Sequence, residues 1–135
     1  MKSGLTAGFI AGLLSGIFSA IITYLGLSIG LYGVKTSIIN AAVAMLLLTI
    51  FFGTLFGLLY ERIYGSIPYE GVKKGLFFGL MIWVIKDITA GSYLVFVTSL
   101  KLIDYIAAAT DLIVVGIYMW TIYGLVLGYL YKPTK

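Results

Sequence analysis

Cysteine and histidine are both absent from this chain of 135 residues. Their absence excludes disulfide bonds, thiolate nucleophiles, metal or haem sites with thiolate or imidazole ligands, and acid–base catalysis by imidazole. Proline is rare, with two residues, and charged residues make up only 10% of the sequence. So little charge does not cover the surface of an ordinary soluble domain, which argues against a soluble enzyme.

Apolar residues are correspondingly abundant. They make up 61% of the chain, and the mean hydropathy is +1.11. Since a membrane-spanning helix needs about 20 apolar residues, the length leaves room for about four spans. The apolar runs place these spans near residues 4–25, 38–60, 72–97 and 107–131. The sequence therefore predicts one integral membrane domain over residues 1–135.

Glycines in a four-residue (GxxxG) spacing suggest an internal repeat. One row opens each half of the chain: Gly4, Gly8 and Gly12, then Gly71, Gly75 and Gly79. A shorter row followed by tyrosine closes each half: Gly53, Gly57 and Tyr60, then Gly124, Gly128 and Tyr131. These matches predict two copies of one helical hairpin, at about residues 1–64 and 68–135. Because the first row recurs in the interior, the first span is expected to be a membrane helix and not a cleaved signal.

Two spans per copy make both copies enter the membrane from the same side. Their pseudo-twofold axis would then run along the membrane normal, unlike the inverted repeats of many transporters. The predicted fold class is therefore all-α: an integral membrane four-helix bundle built from two parallel-repeat helical hairpins.

The glycine rows predict close helix contacts, because small residues let two backbones approach within lipid. We expect the following residues to pack helices together: Gly4, Gly8, Gly12, Gly16, Gly53, Gly57, Gly71, Gly75, Gly79, Gly124 and Gly128. Contacts inside one bundle are the simplest interpretation. An interface between copies of the chain and a glycine-lined pore are alternatives that the sequence leaves open.

Basic residues predict the orientation. An even number of spans puts Lys2, Arg62, Lys73, Lys74, Lys132 and Lys135 on one side, and leaves Lys35, Lys86 and Lys101 for the other. Since short cytoplasmic segments carry the excess of lysine and arginine, both termini are predicted to be cytoplasmic. The expected location is the cell membrane, as a multi-pass protein.

Charged residues gather in the second hairpin, where we expect a candidate polar pathway of Lys86, Asp87, Asp104 and Asp111. Ionisable groups inside a membrane are costly and raise a functional hypothesis. Neighbours on an α-helix point about 100° apart, so Lys86 is expected to pair with Asp104 or Asp111 and not with Asp87. An ion pair that only fixes the register of two helices is the alternative.

Three functions follow from these patterns. The favoured one is a non-enzymatic packing, assembly or accessory subunit, and the alternative is a small transporter or channel. A metal-assisted enzyme that uses Asp104 and Asp111 is a third, but no nucleophile with a base or phosphate-binding loop accompanies them. No cofactor or resident metal is therefore predicted. Expected partners are membrane lipids and, as candidates, further copies or a larger membrane complex. The lack of a long basic tract argues against nucleic acid.

Overall fold

The computed structural model describes residues 3–29, 37–89, 106 and 111–133, with residues 111 and 112 described by their backbone alone. The predicted all-α class is confirmed, since these residues form helices and no strand. The described residues contain four α-helices: α1 (Gly4–Ser28), α2 (Ile38–Ile63), α3 (Gly71–Trp83) and α4 (Gly116–Leu130). A 3₁₀ turn, Tyr64–Ser66, extends α2. Two π-helical segments, Val84–Ile88 and Asp111–Val115, continue α3 and precede α4.

Three helical segments within the described part of the chain are long and apolar enough to cross a membrane. They are Gly4–Ser28, Ile38–Ser66 and Ile113–Leu130. The predicted third span, residues 72–97, extends beyond the described residues, which end at Thr89 in this part of the chain. Large apolar side chains such as Leu47 and Phe51 are about 60% exposed. That outward apolar face suits lipid, and the segments together indicate a membrane protein.

Side-chain oxygens satisfy the free N–H groups at the start of α1. The Ser3 hydroxyl accepts a hydrogen bond from the Thr6 N–H at 3.3 Å. The Glu61 carboxylate accepts one from the Gly4 N–H at 2.8 Å. Because the first N–H groups of a helix have no partner within it, these two acceptors stabilise the helix start. The bond from Gly4 also ties α1 to the end of α2.

The helices approach each other most closely as two pairs, α1 with α2 and α3 with α4, and α1 also contacts α4. The largest fully buried side chains include Tyr60, Phe78, Trp120, Tyr123 and Leu127. The Tyr123 hydroxyl donates a hydrogen bond of 2.7 Å to the carbonyl oxygen of Gly53. This bond joins α4 to α2, so a polar contact as well as apolar packing links the two pairs.

Candidate functional site

Glycines of α1 and α2 meet backbone to backbone. A Cβ atom built at Gly8 would lie 2.6 Å from the Gly53 carbonyl oxygen and 2.6 Å from the Gly57 Cα. One built at Gly53 would lie 2.6 Å from the Cα of Gly12. Real Cβ atoms essentially never come within 3.0 Å of such atoms. No residue larger than glycine therefore fits at these positions unless the helices move apart.

Glycines of α3 and α4 make the same kind of contact. A Cβ atom built at Gly124 would lie 2.5 Å from the carbonyl oxygen of Gly75, and one built at Gly128 would lie 2.9 Å from the Gly75 Cα. One at Gly79 would lie 3.0 Å from the Cα of Gly124. The structure thus brings Gly8 against Gly53 and Gly57. It brings Gly75, the matching glycine of the second half, against Gly124 and Gly128.

Gly4 makes the same kind of backbone contact, because a Cβ atom built there would overlap the Gly57 carbonyl oxygen and would lie 2.6 Å from the Glu61 Cβ. Gly16 and Gly71 have different surroundings. A Cβ atom at Gly16 would meet side-chain atoms of Leu46 and Thr49 at 3.1 and 3.3 Å. Gly71 takes no part in helix packing: no described heavy atom lies within 4 Å of its Cβ position, and its φ is +55°. It starts α3 in a left-handed conformation that glycine adopts without steric cost, so the backbone and not helix packing requires glycine at this position.

An ion pair joins Lys86 and Asp87 in the π-helical segment after α3. The Lys86 ammonium donates to Asp87 Oδ1 at 3.0 Å, and the side chains are 42% and 6% exposed. The prediction that these neighbours do not pair is therefore wrong. It assumed α-helical geometry, whereas the segment has the wider turn of a π-helix, and the long lysine stem folds back over its neighbour.

Two tryptophans and a glycine surround this ion pair. The Lys86 Nζ lies 5.4 Å from the centroid of the Trp120 ring. A Cβ atom built at Gly116 would overlap Asp87 Oδ2 and would lie 3.1 Å from Trp83 Cδ1. Trp120 is buried, and its indole N–H has no hydrogen-bond partner among the described residues. The arrangement places a carboxylate, an ammonium and two indole rings at one end of the α3–α4 pair.

The other acidic residues of the candidate pathway add no described side chain to this cluster. Asp111 begins the π-helical segment that contacts Val84–Ile88, but only its backbone is described. Asp104 and Lys101 lie outside the described residues. Within the described part of the chain, no group of three acidic, histidine or cysteine residues could hold a metal ion.

A second lysine pairs with an aromatic ring at the opposite end of α3. The Lys74 Nζ donates to the Tyr64 carbonyl oxygen at 2.6 Å and lies 4.1 Å from the centroid of the Tyr64 ring. The Tyr131 ring lies 5.0 Å from that ring. Burial, then the Glu61 carboxylate and Tyr64, raise the pKa of the Tyr131 hydroxyl. These contacts give Lys74 and the tyrosines a structural role at this end.

Sequence patterns alone missed Gly116, Trp83, Trp120 and Tyr123 as site residues. Gly116 and Trp120 do stand on the four-residue row that continues through Gly124, so an extension of that row backwards would have found them. No local pattern could have found the hydrogen bond of Tyr123, because its partner lies 70 residues away in the sequence.

Comparisons of the chain with protein-family models, with curated proteins and with solved structures found no match. The fold and the site define a helical membrane protein, and any function has to be argued from its own residues.

Proposed function

We propose that this chain is a small integral membrane protein that acts as a non-enzymatic packing, assembly or accessory subunit. The observation that carries this proposal is the state of Asp87. A carrier needs its acidic group to meet water from both sides of the membrane in turn, whereas the Asp87 side chain is buried and pairs with its own neighbour, Lys86, at 3.0 Å. The proposal includes no reaction, cofactor or metal.

Satisfied polar groups elsewhere in the spans support the same function. Tyr123 donates to Gly53, and the hydroxyls of Thr49 and Thr54 donate to carbonyl oxygens one turn earlier in α2. With these three hydroxyl groups bonded within the protein, the helices present an apolar exterior to lipid or to other membrane helices. The proposed partners are therefore membrane lipids and, as an accessory subunit, further copies of the chain or a larger membrane complex.

The proposed architecture is a four-helix bundle of two repeated hairpins, residues 1–64 and 68–135, with both termini in the cytoplasm. The paired contacts of Gly8 with Gly53 and Gly57, and of Gly75 with Gly124 and Gly128, support it. Equivalent glycines meet in both hairpins, as a duplicated two-span unit requires. The glycine rows then serve packing within the bundle, and an interface or a pore lined by them is not needed.

A mass measurement in mild detergent combined with a flux assay tests the proposed function. We expect Asp87→Asn to leave the assembled mass unchanged, because the substitution preserves side-chain volume. Liposomes containing the unmodified protein should conduct protons and K⁺ no faster than empty liposomes. Flux that depends on the protein and is lost in Asp87→Asn would contradict a packing subunit and support the second candidate.

That second candidate is a small transporter or channel with a polar route near Lys86, Asp87 and Asp111. It is supported by the two π-helical segments, Val84–Ile88 and Asp111–Val115, which contact each other beside the buried carboxylate. Single π-helical turns within α-helices often occur at functional sites. Buried ionisable residues in spanning helices mark ion routes in many membrane proteins.

A further inference from the structure

We propose that Asp87, Trp83 and Trp120 form a binding site for a small organic cation, either a protonated amine or a quaternary ammonium. The Lys86 ammonium occupies this site in the structure as a tethered counterion. The inference goes beyond both candidate functions, because binding of such a cation requires neither a partner subunit nor transport.

The two side chains of the ion pair differ in burial and therefore in freedom to move. The Asp87 side chain is 6% exposed and fixed against Gly116, whereas that of Lys86 is 42% exposed. Lys86 follows Lys74 by 12 residues, which is roughly 18 Å along a helix, so it lies past the midplane of a hydrocarbon layer about 30 Å thick. A lysine there can extend its stem and carry its ammonium toward the far membrane surface. The carboxylate cannot follow, and it then needs another cation.

The aromatic rings decide which cation fits. The Lys86 Nζ lies 5.4 Å from the Trp120 ring centroid, within the distance of about 6 Å at which a cation is attracted to the face of an indole ring. The edge of the Trp83 ring, at Cδ1 and Nε1, lies 3.1 Å from the same Gly116 Cβ position that Asp87 Oδ2 would overlap. Calcium and magnesium ions need several oxygen ligands, and a single described carboxylate does not provide them. One carboxylate beside indole rings instead suits a weakly hydrated organic cation.

Gly116 gives the carboxylate its position. Because it has no side chain, Asp87 Oδ2 can lie directly against the backbone of α4, where a Cβ atom would overlap it. Asp87, in the π-helical segment after α3, is thereby brought to the first turn of α4, where Gly116 precedes Trp120 by four residues on the same helix face. Carboxylate and indole thus come from different helices and meet at one place.

Intrinsic fluorescence tests the site directly, because both tryptophans of the chain border it. Purified protein in mild detergent is titrated with tetramethylammonium chloride, with potassium chloride at equal ionic strength as reference. Lys86→Met removes the tethered counterion, so the apparent Kd for tetramethylammonium should fall at least tenfold relative to the unmodified protein. The double variant Lys86→Met with Asp87→Asn should show no saturable change.

Lys74→Met is the matched control, because it removes a described lysine that lies over a tyrosine ring and not over a tryptophan ring. It should bind tetramethylammonium as the unmodified protein does. Lys86→Gln serves the same purpose as Lys86→Met if the latter does not purify as a folded protein. The proposal is overturned if neither folded Lys86 variant binds saturably, if binding persists after Asp87→Asn, or if K⁺ gives the same response.

Discussion

At the residue scale, the glycines of this chain matter because they have no side chain, which either lets another backbone come close or permits an unusual backbone conformation. Gly8 is the second glycine of the first opening row and Gly71 is the first glycine of the second opening row, and their structural requirements differ. Gly8 lies against the backbone of α2, whereas Gly71 has open space around it and a φ of +55°. In lipid, where apolar side chains gain nothing by leaving the solvent, close backbone contact supplies dispersion and weak Cα–H···O interactions instead.

Gly8→Ala is expected to destabilise the fold by about 1–3 kcal/mol, the usual cost of overpacking. The new methyl group would lie 2.6 Å from backbone atoms of Gly53 and Gly57, which cannot move without separating α1 from α2. Unfolding of the purified protein in detergent, followed by helical circular dichroism, measures the change.

The matched control for this substitution is Gly65→Ala, in the 3₁₀ turn after α2. No described heavy atom lies within 4 Å of the Gly65 Cβ position. The free energy of unfolding of the Gly65→Ala variant should stay within about 0.5 kcal/mol of that of the unmodified protein, as for most surface substitutions. Equal stability of both variants would contradict the close contact of α1 with α2.

At the element scale, the change from α-helix to π-helix after Trp83 determines the candidate site. A regular α-helical period predicts that Lys86 reaches across the hairpin, and it assigns Asp87 to another face. The wider π-helical turn places Asp87 against Gly116 of α4 and leaves Lys86 above Trp120. One local change in helix geometry therefore decides which side chains meet between α3 and α4.

Gly116→Ala is expected to destabilise the protein by about 1–3 kcal/mol, because the added methyl group overlaps Asp87 Oδ2. In an Asp87→Ala background the carboxylate is absent, so the same substitution should cost less. A double-mutant cycle on unfolding free energies gives the coupling, expected to exceed about 0.5 kcal/mol for residues in contact. Additive effects of the two substitutions would mean that α3 and α4 do not meet at this point.

At the scale of the whole molecule, the sequence predicts the helices better than it predicts the site. Apolar runs predict where three of the spans lie, and the described helices that are long and apolar enough to cross a membrane overlap all three, because the length of a span follows from membrane thickness. Glycine spacing indicates which helix faces meet, because only small residues allow such an approach. Neither pattern predicts the π-helical turn at Val84 or the hydrogen bond from Tyr123 to Gly53, since both depend on contacts between helices that are distant in the sequence.

The charged residues predict the orientation of the whole molecule in the membrane. Labelling of single introduced cysteines tests this orientation, and the unmodified chain gives no labelling background because it has no cysteine. We expect Lys35→Cys to react with a membrane-impermeant maleimide in intact cells, since residue 35 follows one span. Ser3→Cys and Lys132→Cys should react only after permeabilisation. Each lysine substitution still leaves most basic residues on the side of the termini, so the orientation signal remains.

The pattern of labelling separates two errors. Labelling of positions 3 and 132 from outside, with position 35 protected, would mean that the predicted orientation is inverted while the even number of spans holds. Labelling of positions 3 and 132 from opposite sides would require an odd number of spans. Two hairpins that run in the same direction always return the chain to the side where it began, so that result would rule out the parallel repeat itself.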